Sequence, residues 1–370
     1  MSFQFSTVFA ERRKELQLTQ EQIAQYTGVS RAAVSKWEKG LSYPDITLLP
    51  RLATYFNVSI DKLLGYEPQM TNEGIRKTYA ELAESFSKDS FEQVETRVEQ
   101  LLQEYYACFP FVLKMAQLYL NYLSIAPNQE KIRKRVLELC ERVKHGSEDV
   151  KQVQEAIGLE ASVHLMNGQP NEVLELLGEG ASICLGTEQM IATAYSMLGK
   201  TDKAKEILQA SLFQQVLNVI SGATESLLLE VNNPLYFEET VSRTEKVIEV
   251  FRIENLNPNT VLVFYTKAAF GYMMQGNTDK ALQMIEKYVK VCVKMSFPLL
   301  VQGDDYFYLL SKWIDREVAL AGQAPRDELS IKRDLVATYE NNPMFEPLHS
   351  HHKFQILMTN LKHGLNLDGI

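Results

Sequence analysis

The stretch TQEQIAQYTGVSRAAVSKWEKG, residues 19–40, decides how the N-terminal part of the chain is read. Thr19 followed by Gln22 is a capping-box pair: the hydroxyl accepts from an early amide while the glutamine side chain reaches back. The helix that begins there is expected to bury Ile23, Ala24 and Tyr26. Gly28 stops it by entering left-handed backbone, which costs a residue with a side chain energy. Ser30 caps a second helix that runs to Lys39 and ends at Gly40. Two short helices around a glycine-containing turn form a helix-turn-helix unit. On the second helix Ala33, Val34 and Trp37 share the side that packs inward. The opposite side carries Ala32, Ser35 and Lys39, flanked by Arg31 and Lys36. Small residues there allow close approach, and the cations are long enough to reach a phosphate or a groove floor. A solvated face of random charge would mix in acids. Here the one acid, Glu38, sits at the boundary, where it can pair inward with Arg13.

Charge separates this head from the rest. The 370 residues carry a net charge of -9, which by itself argues against a nucleic-acid binder. Residues 1–66, however, hold eight Lys/Arg against six Asp/Glu, and the remainder holds 30 against 41. A body of net -11 is repelled by a polyanion unless a less acidic head is interposed.

Residues 5–66 resemble the Cro/repressor-type (Xre) helix-turn-helix family, with LTQEQIA, GVSRAAVSKWEKG and VSIDKLLG in register. The resemblance implies a five-helix domain over residues 1–66 that binds double-stranded DNA. It assigns Gln20 to a DNA phosphate and Ser30, Arg31, Ala32, Ser35 and Lys36 to the start and base-reading side of the recognition helix. Lys39, Ser42 and Tyr43 fall in the segment that grips the backbone. Ala32 departs from the many relatives that place a long polar side chain there, leaving at most a methyl contact to thymine. Asp45 caps helix four, whose Leu48, Leu49, Leu52 and Phe56 face inward, and Ser59 caps helix five.

Residues 67–74, within GYEPQMTNEG, read as a linker, and residues 75–370 read as an all-α body. Three segments align on a glycine at a helix–helix turn: Gly168, Gly199 and Gly276. Seven residues before each stands Ala161, Ala192 or Ala269, four before stands His164, Tyr195 or Tyr272, and five after stands Val173, Ala204 or Ala281. These segments resemble the tetratricopeptide repeat. The intervals of 31 and 77 residues leave room for a degenerate unit turning at Asn232–Pro234. Weaker hairpins are read around Lys88, Asn128 and Gly322. The expectation is a right-handed α-solenoid of about seven hairpins. Repeat geometry would turn Ser162, Leu165, Met166, Gln189, Thr193, Met197, Thr266, Phe270, Met273 and Met274 toward the concave groove, with Gln117 and Asn121 in the weaker repeat. A methionine stripe with interspersed amides suits an extended peptide. The alternative is that the chain's own C-terminal helices fill the groove.

Other patterns are poor. His349, His351 and His352 fall on different sides of a helix with no cysteine or carboxylate nearby, so a surface tail is favoured over a metal site. Cys108, Cys140, Cys184 and Cys292 show no C-x-x-C spacing and are expected to be reduced, buried small hydrophobes. No nucleotide, nucleophile or paired-carboxylate signature is present, so neither an enzyme nor a cofactor is expected. No apolar run is long enough to span a membrane, and a cytoplasmic protein is expected. Head and body together resemble the peptide-pheromone-responsive Rgg/PlcR-type regulators. That resemblance implies a homodimer on a two-fold-symmetric operator, with a short peptide ligand in the body. A DNA-tethered scaffold whose solenoid docks a protein partner, or a body that inhibits a signalling enzyme, remain the competing readings.

Overall fold

A computed structural model describes residues 4–66, 69–181, 186–317 and 324–367, and all regular elements among them are helices. The head consists of α1 (Phe5–Glu15), α2 (Gln20–Thr27), α3 (Arg31–Glu38), α4 (Leu49–Phe56) and α5 (Ile60–Leu64), with a short 3-10 turn (Ile46–Leu48) leading into α4. They close around Phe5, Phe9, Ile23, Val34, Trp37, Leu52, Phe56 and Leu63, all buried. Asp45 and Ser59 act as the expected caps, accepting from the amides of Thr47 and Lys62.

The body runs α6 (Asn72–Ser85), α7 (Phe91–Glu104), α8 (Phe109–Asn121), α9 (Gln129–Gly146), α10 (Val150–Met166) and α11 (Pro170–Leu177). It continues through α12 (Thr187–Met197), α13 (Thr201–Leu229), α14 (Pro234–Val250), α15 (Ile253–Leu256), α16 (Pro258–Met274) and α17 (Thr278–Lys294). It ends with α18 (Leu310–Glu317), α19 (Glu328–Glu340) and α20 (His352–Gly364). This long helical region is consistent with a solenoid. The three aligned glycines lie at hairpin turns with φ of +67°, +72° and +71°, where a Cβ would be strained. Ala161, Ala192 and Ala269 are all buried, as the need for close helix approach requires. Lys88 and Asn128 also fall in inter-helix turns, and Asn128 caps α9. The hairpin read around Gly322, and Cys184, lie outside the described residues. The other three cysteines are buried, and burial pushes the thiols of Cys140 and Cys292 up to about 12.

One boundary differs from the sequence reading, and two features of the stack go beyond it. The linker is shorter than 67–74: Thr71 caps α6, so residues 72–74 are its first turn, and Gln69 and Met70 already bond to Ala107 and Cys108 of the body. The degenerate unit has no separate first helix. The 29-residue α13, unbroken by proline, serves as second helix of one hairpin and first helix of the next, which turns at Asn232–Pro234. The stack is also not continuous. One core gathers residues from α6 to α10 and another gathers residues from α13 to α20, while α11 buries no residue and α12 buries only Ala192. Neither α10 nor α11 packs along α12.

The C-terminal stretch ties the two stacks together. Tyr79 donates to the Pro325 carbonyl at 2.9 Å, the Asp327 amide donates to Tyr122 at 3.1 Å, and Arg76 reaches the Asp315 carbonyl at 3.1 Å. Of the three histidines His351 and His352 are exposed, as read, while His349 is half-buried. His349 stacks on Phe354 with ring centroids 5.3 Å apart, and His351 accepts from Lys353 as the cap of α20. Phe354, one turn into α20, is buried where that helix docks on α17, and it carries the His349 ring with it.

Gly271 of α16 gives the helix packing a sharp test, because a Cβ there would clash with the edge of the fully buried Phe237 ring. Gly271→Ala should cost about 1–3 kcal/mol through overpacking. Gly222→Ala, in open space on α13, should instead stabilise by about 0.4–1 kcal/mol through lost chain entropy. Urea denaturation of the two variants beside the parent checks the opposite signs.

Candidate nucleic-acid interface and body cavity

The capping box forms as read: the Gln22 amide donates to Thr19 Oγ1 at 3.2 Å and the Thr19 amide donates to Gln22 Oε1 at 2.7 Å. Gly28 has φ +78°, and Ser30 Oγ accepts from the Ala33 amide at 3.3 Å. Val34 and Trp37 anchor α3, with Trp37 edge-on to Phe9 at 6.0 Å. Tyr26 is the exception, being exposed rather than buried. It stacks on Tyr55 with centroids 4.0 Å apart, and Thr27 takes the inward position, its hydroxyl donating to the Ile23 carbonyl at 2.7 Å. One helical turn from Ile23 is the position that points at the core, and only a small side chain fits there.

One carboxylate locks the unit. Glu38 pairs with Arg13, as read, and also accepts from Gln20 Nε2 at 2.8 Å, so α1, α2 and α3 meet at a single group. Arg13 also donates to the Leu18 carbonyl at 2.7 Å. The two charged side chains are only 18% and 12% exposed. Burial pushes the Glu38 carboxyl upward, but hydrogen bonds from Arg13 and Gln20, with the charges of Arg13 and Lys14, outweigh it and hold the group below its ordinary range. Gln20 thus has a structural duty that sequence reasoning missed, since its partner lies 18 residues away. Its amide keeps a second N–H for another acceptor.

The outward side of α3 is electrostatically open. Arg31, Lys36 and Lys39 are exposed and make no ion pair among the described residues. Ala32 is exposed beside them and Ser35 and Ser42 are half-buried. Ser30 is exposed, with its oxygen engaged in the cap. Tyr43 is exposed, its ring 6.0 Å from Phe5. On either side of Tyr43, Leu41 and Ile46 are 71% and 78% exposed, a feature signalled only by two apolar residues in an otherwise polar loop. Unpaired cations around small side chains can meet phosphates and let the helix enter a groove.

This geometry is that of a helix-turn-helix domain, and residues 9–63 match the family described as helix-turn-helix. The chain is also 31% identical over 109 residues to the HTH-type transcriptional activator BcrR of Enterococcus faecalis. That alignment covers 30% of this chain and 48% of BcrR, so the chain spans about half the length of that relative. No solved structure matches the chain significantly. Among the described residues, no helix is long and apolar enough to cross a membrane.

In the body the groove candidates do not form one surface. A cavity of 720 Å³ lies between α16, the end of α8 and the C-terminal stretch, and its lining includes Asn121 and Thr266. Asn257, Leu262, Val263 and Leu335 complete walls that sequence reasoning did not anticipate, because they come from segments far apart in the chain. Phe270 and Met273 are instead half-buried against the core that runs from α13 to α20, and Thr266 Oγ1 lies 3.4 Å from the Tyr339 hydroxyl. Tyr339 of α19 therefore lies beside α16 at Thr266. Gln117 accepts from Lys114 Nζ at 3.1 Å. The hydroxyls of Ser162 and Thr193 bond back to the carbonyls of Gly158 and Gln189 in their own helices. Leu165, Met166, Gln189, Met197 and Met274 are exposed and line no part of the cavity.

The Glu38 lock should show in the acid stability of the head. A carboxyl depressed by folding stabilises above its unfolded value, and that contribution is lost as pH falls through the folded value. Glu38→Gln should lower stability by about 1–3 kcal/mol at neutral pH. It should also flatten the melting-temperature loss of the parent below pH ~4.5. Tryptophan-fluorescence melts in a Trp313→Phe background, which leaves Trp37 as the reporter, read both effects between neutral and acid pH.

Proposed function

We propose that the chain is a cytoplasmic transcription regulator that binds a two-fold-symmetric operator as a homodimer and senses a short peptide through its helical body. One observation carries the DNA-binding reading: Arg31, Lys36 and Lys39 stand unpaired around Ala32 and Ser35 on the outward side of α3. The match to the helix-turn-helix family and the likeness to a protein named as a transcriptional activator support it. Arg31 and Lys36 read base edges, Lys39, Ser42 and Tyr43 hold the backbone, and Gln20 turns its second amide hydrogen to a phosphate. One such head covers only about four to six base pairs, so two heads about one helical turn apart are needed for useful affinity.

For the sensing role, the 720 Å³ cavity supports a narrower site than the whole groove. Its apolar walls accept side chains, while Asn121, Asn257 and Thr266 offer donors and acceptors to a peptide backbone. The lining draws on both helical stacks, so a ligand there can bias how they are held together.

Arg31→Ala should weaken operator binding by about 1–3 kcal/mol per head and relax the sequence preference, whereas Gln20→Ala should weaken all sequences alike. Selection of operators from random DNA, followed by footprinting of the variants, reads this; unchanged binding by Arg31→Ala would remove the recognition role of α3. Val263→Trp should fill the cavity without touching the head. In a thermal-shift screen of short host-derived peptides, a hit whose shift survives Val263→Trp binds elsewhere. A body stabilised by a protein partner but by no peptide would favour the scaffold reading.

A further inference from the structure

The lining of the 720 Å³ cavity is net positive: Lys267 and Arg326 face a single carboxylate, Asp334, among the described residues. Each cation has an ion-pair partner, but the partners sit further out than the cations do. Lys267 is 28% exposed and its partner Glu225 71%, while Arg326 is 19% exposed and Asp334 58%. Water screens carboxylates as exposed as these, so the inner cations keep much of their pull on a charge within the cavity. Arg326 also has unused donors. Asp334 engages only Nη1, on the edge away from the Nε hydrogen. Nε is sealed from water without an acceptor, and Nη2 makes no hydrogen bond among the described residues. Nε and Nη2 together form the side-on fork of a guanidinium, which fits a carboxylate through two parallel bonds. The group is held in place as well. Its central carbon lies 5.5 Å over the Tyr122 ring, whose hydroxyl donates to the Ala83 carbonyl at 3.0 Å.

We infer that Arg326 anchors the C-terminal carboxylate of a short apolar peptide in this cavity. The inference rests on the peptide-sensing reading above and names the group that the site recognises. A carboxylate that turns the Nε–Nη2 edge toward itself forms two charge-assisted bonds. It also gives the orphaned Nε–H an acceptor, which removes the cost of a buried donor left unmet. Lys267 adds a second positive charge along the same walls. The free end of a peptide suits these walls better than other carboxylates do. It arrives attached to amide groups that Asn121, Asn257 and Thr266 can meet, and to apolar side chains that can lie against Leu262, Leu299 and Leu335. An acid with a bare hydrocarbon tail shares the anchor but leaves those polar groups unpaired. The exposed Asp334 is then a weak competitor for the same guanidinium, and removing its charge strengthens the anchor.

The probe is a mixed library of short apolar peptides, synthesised once with free C-terminal carboxylates and once with C-terminal amides, and offered to the full chain. Captured peptides are then measured by calorimetry, with circular dichroism melts of each variant alongside. The parent should bind the free-acid form about tenfold more tightly than the amide. Arg326→Gln should bind the two forms alike, whereas Arg326→Lys should keep part of the preference, as a point charge without the fork. Asp334→Asn, at an exposed side chain, should tighten the acid form about threefold and leave the amide form unchanged. Should Arg326→Gln not fold, the acid-to-amide ratio of the parent and its rise in Asp334→Asn still decide the outcome. Equal affinity for acid and amide, with binding still blocked by Val263→Trp, sinks the anchor and leaves the cavity as the peptide site. Capture of no peptide in either form sinks the anchor and the peptide reading together. Decanoic acid tests the other source of a carboxylate: if it binds through Arg326 where no peptide does, the occupant is a fatty acid and the peptide assignment is wrong.

Discussion

Helices stack only as closely as the side chains between them permit, and in this body small residues set that distance. Ala161, Ala192 and Ala269 stand at the same place in three hairpins and are all buried. Gly271 carries the principle to its limit, since the ring of Phe237 occupies the space of a Cβ and then meets Tyr272 edge-on at 5.0 Å. Where the seams are continuous, as from α13 to α20, they bring the large apolar residues into one core. Where α12 uses its single small-residue seam on α13, no second seam is left for α11, and the stack is interrupted. The C-terminal stretch then has to span the interruption, which is why polar bonds from Tyr79, Tyr122 and Arg76 join parts of the chain more than 200 residues apart.

The head obeys a different constraint, that of charge. Three of its six acids are engaged close to home: Glu38 on Arg13 and Gln20, Glu15 on Arg12, Asp45 on the amide and hydroxyl of Thr47. None of the head's acids forms an ion pair with Arg31, Lys36 or Lys39 among the described residues. An isolated buried ion pair gains little because desolvation offsets attraction, but here the carboxylate also accepts from Gln20 and fixes the relation of three helices. The positional demand of groove reading explains why such a lock is useful, since a recognition helix displaced by a fraction of a turn presents the wrong side chains.

Much of the head is legible in the linear sequence. The capping box, the turn at Gly28, the cap at Ser30 and the inward set of α3 are local chemistry, decided within four residues of each position. The pairing of Glu38 with Arg13 is also readable, because the boundary of a helix wheel leaves an acid little choice of direction. Tyr26 misleads because its size suggests burial, whereas the core has room only for Thr27. Gln20 reads as a phosphate ligand alone because its second partner is contributed by another helix. In the body the turn glycines and buried alanines are legible for the same local reason. The walls of the cavity are not, since Asn121, Leu262 and Leu335 meet only after two stacks and the C-terminal stretch have folded together.

Local sequence thus dictates which segments are helices, where they start and stop, and which narrow sides must be small enough for neighbours to approach. These follow from hydrogen-bond caps, glycine's tolerance of positive φ and the periodicity of apolar residues, all of which act over a few residues. Long-range packing instead settled that α13 would bridge two units and that Thr266 of α16 would meet Tyr339 of α19. It also left Met190, Ile191 and Met197 of α12 facing outward. Those outcomes depend on competition between distant apolar surfaces for the same partner, and a linear pattern records each surface without recording which of them wins.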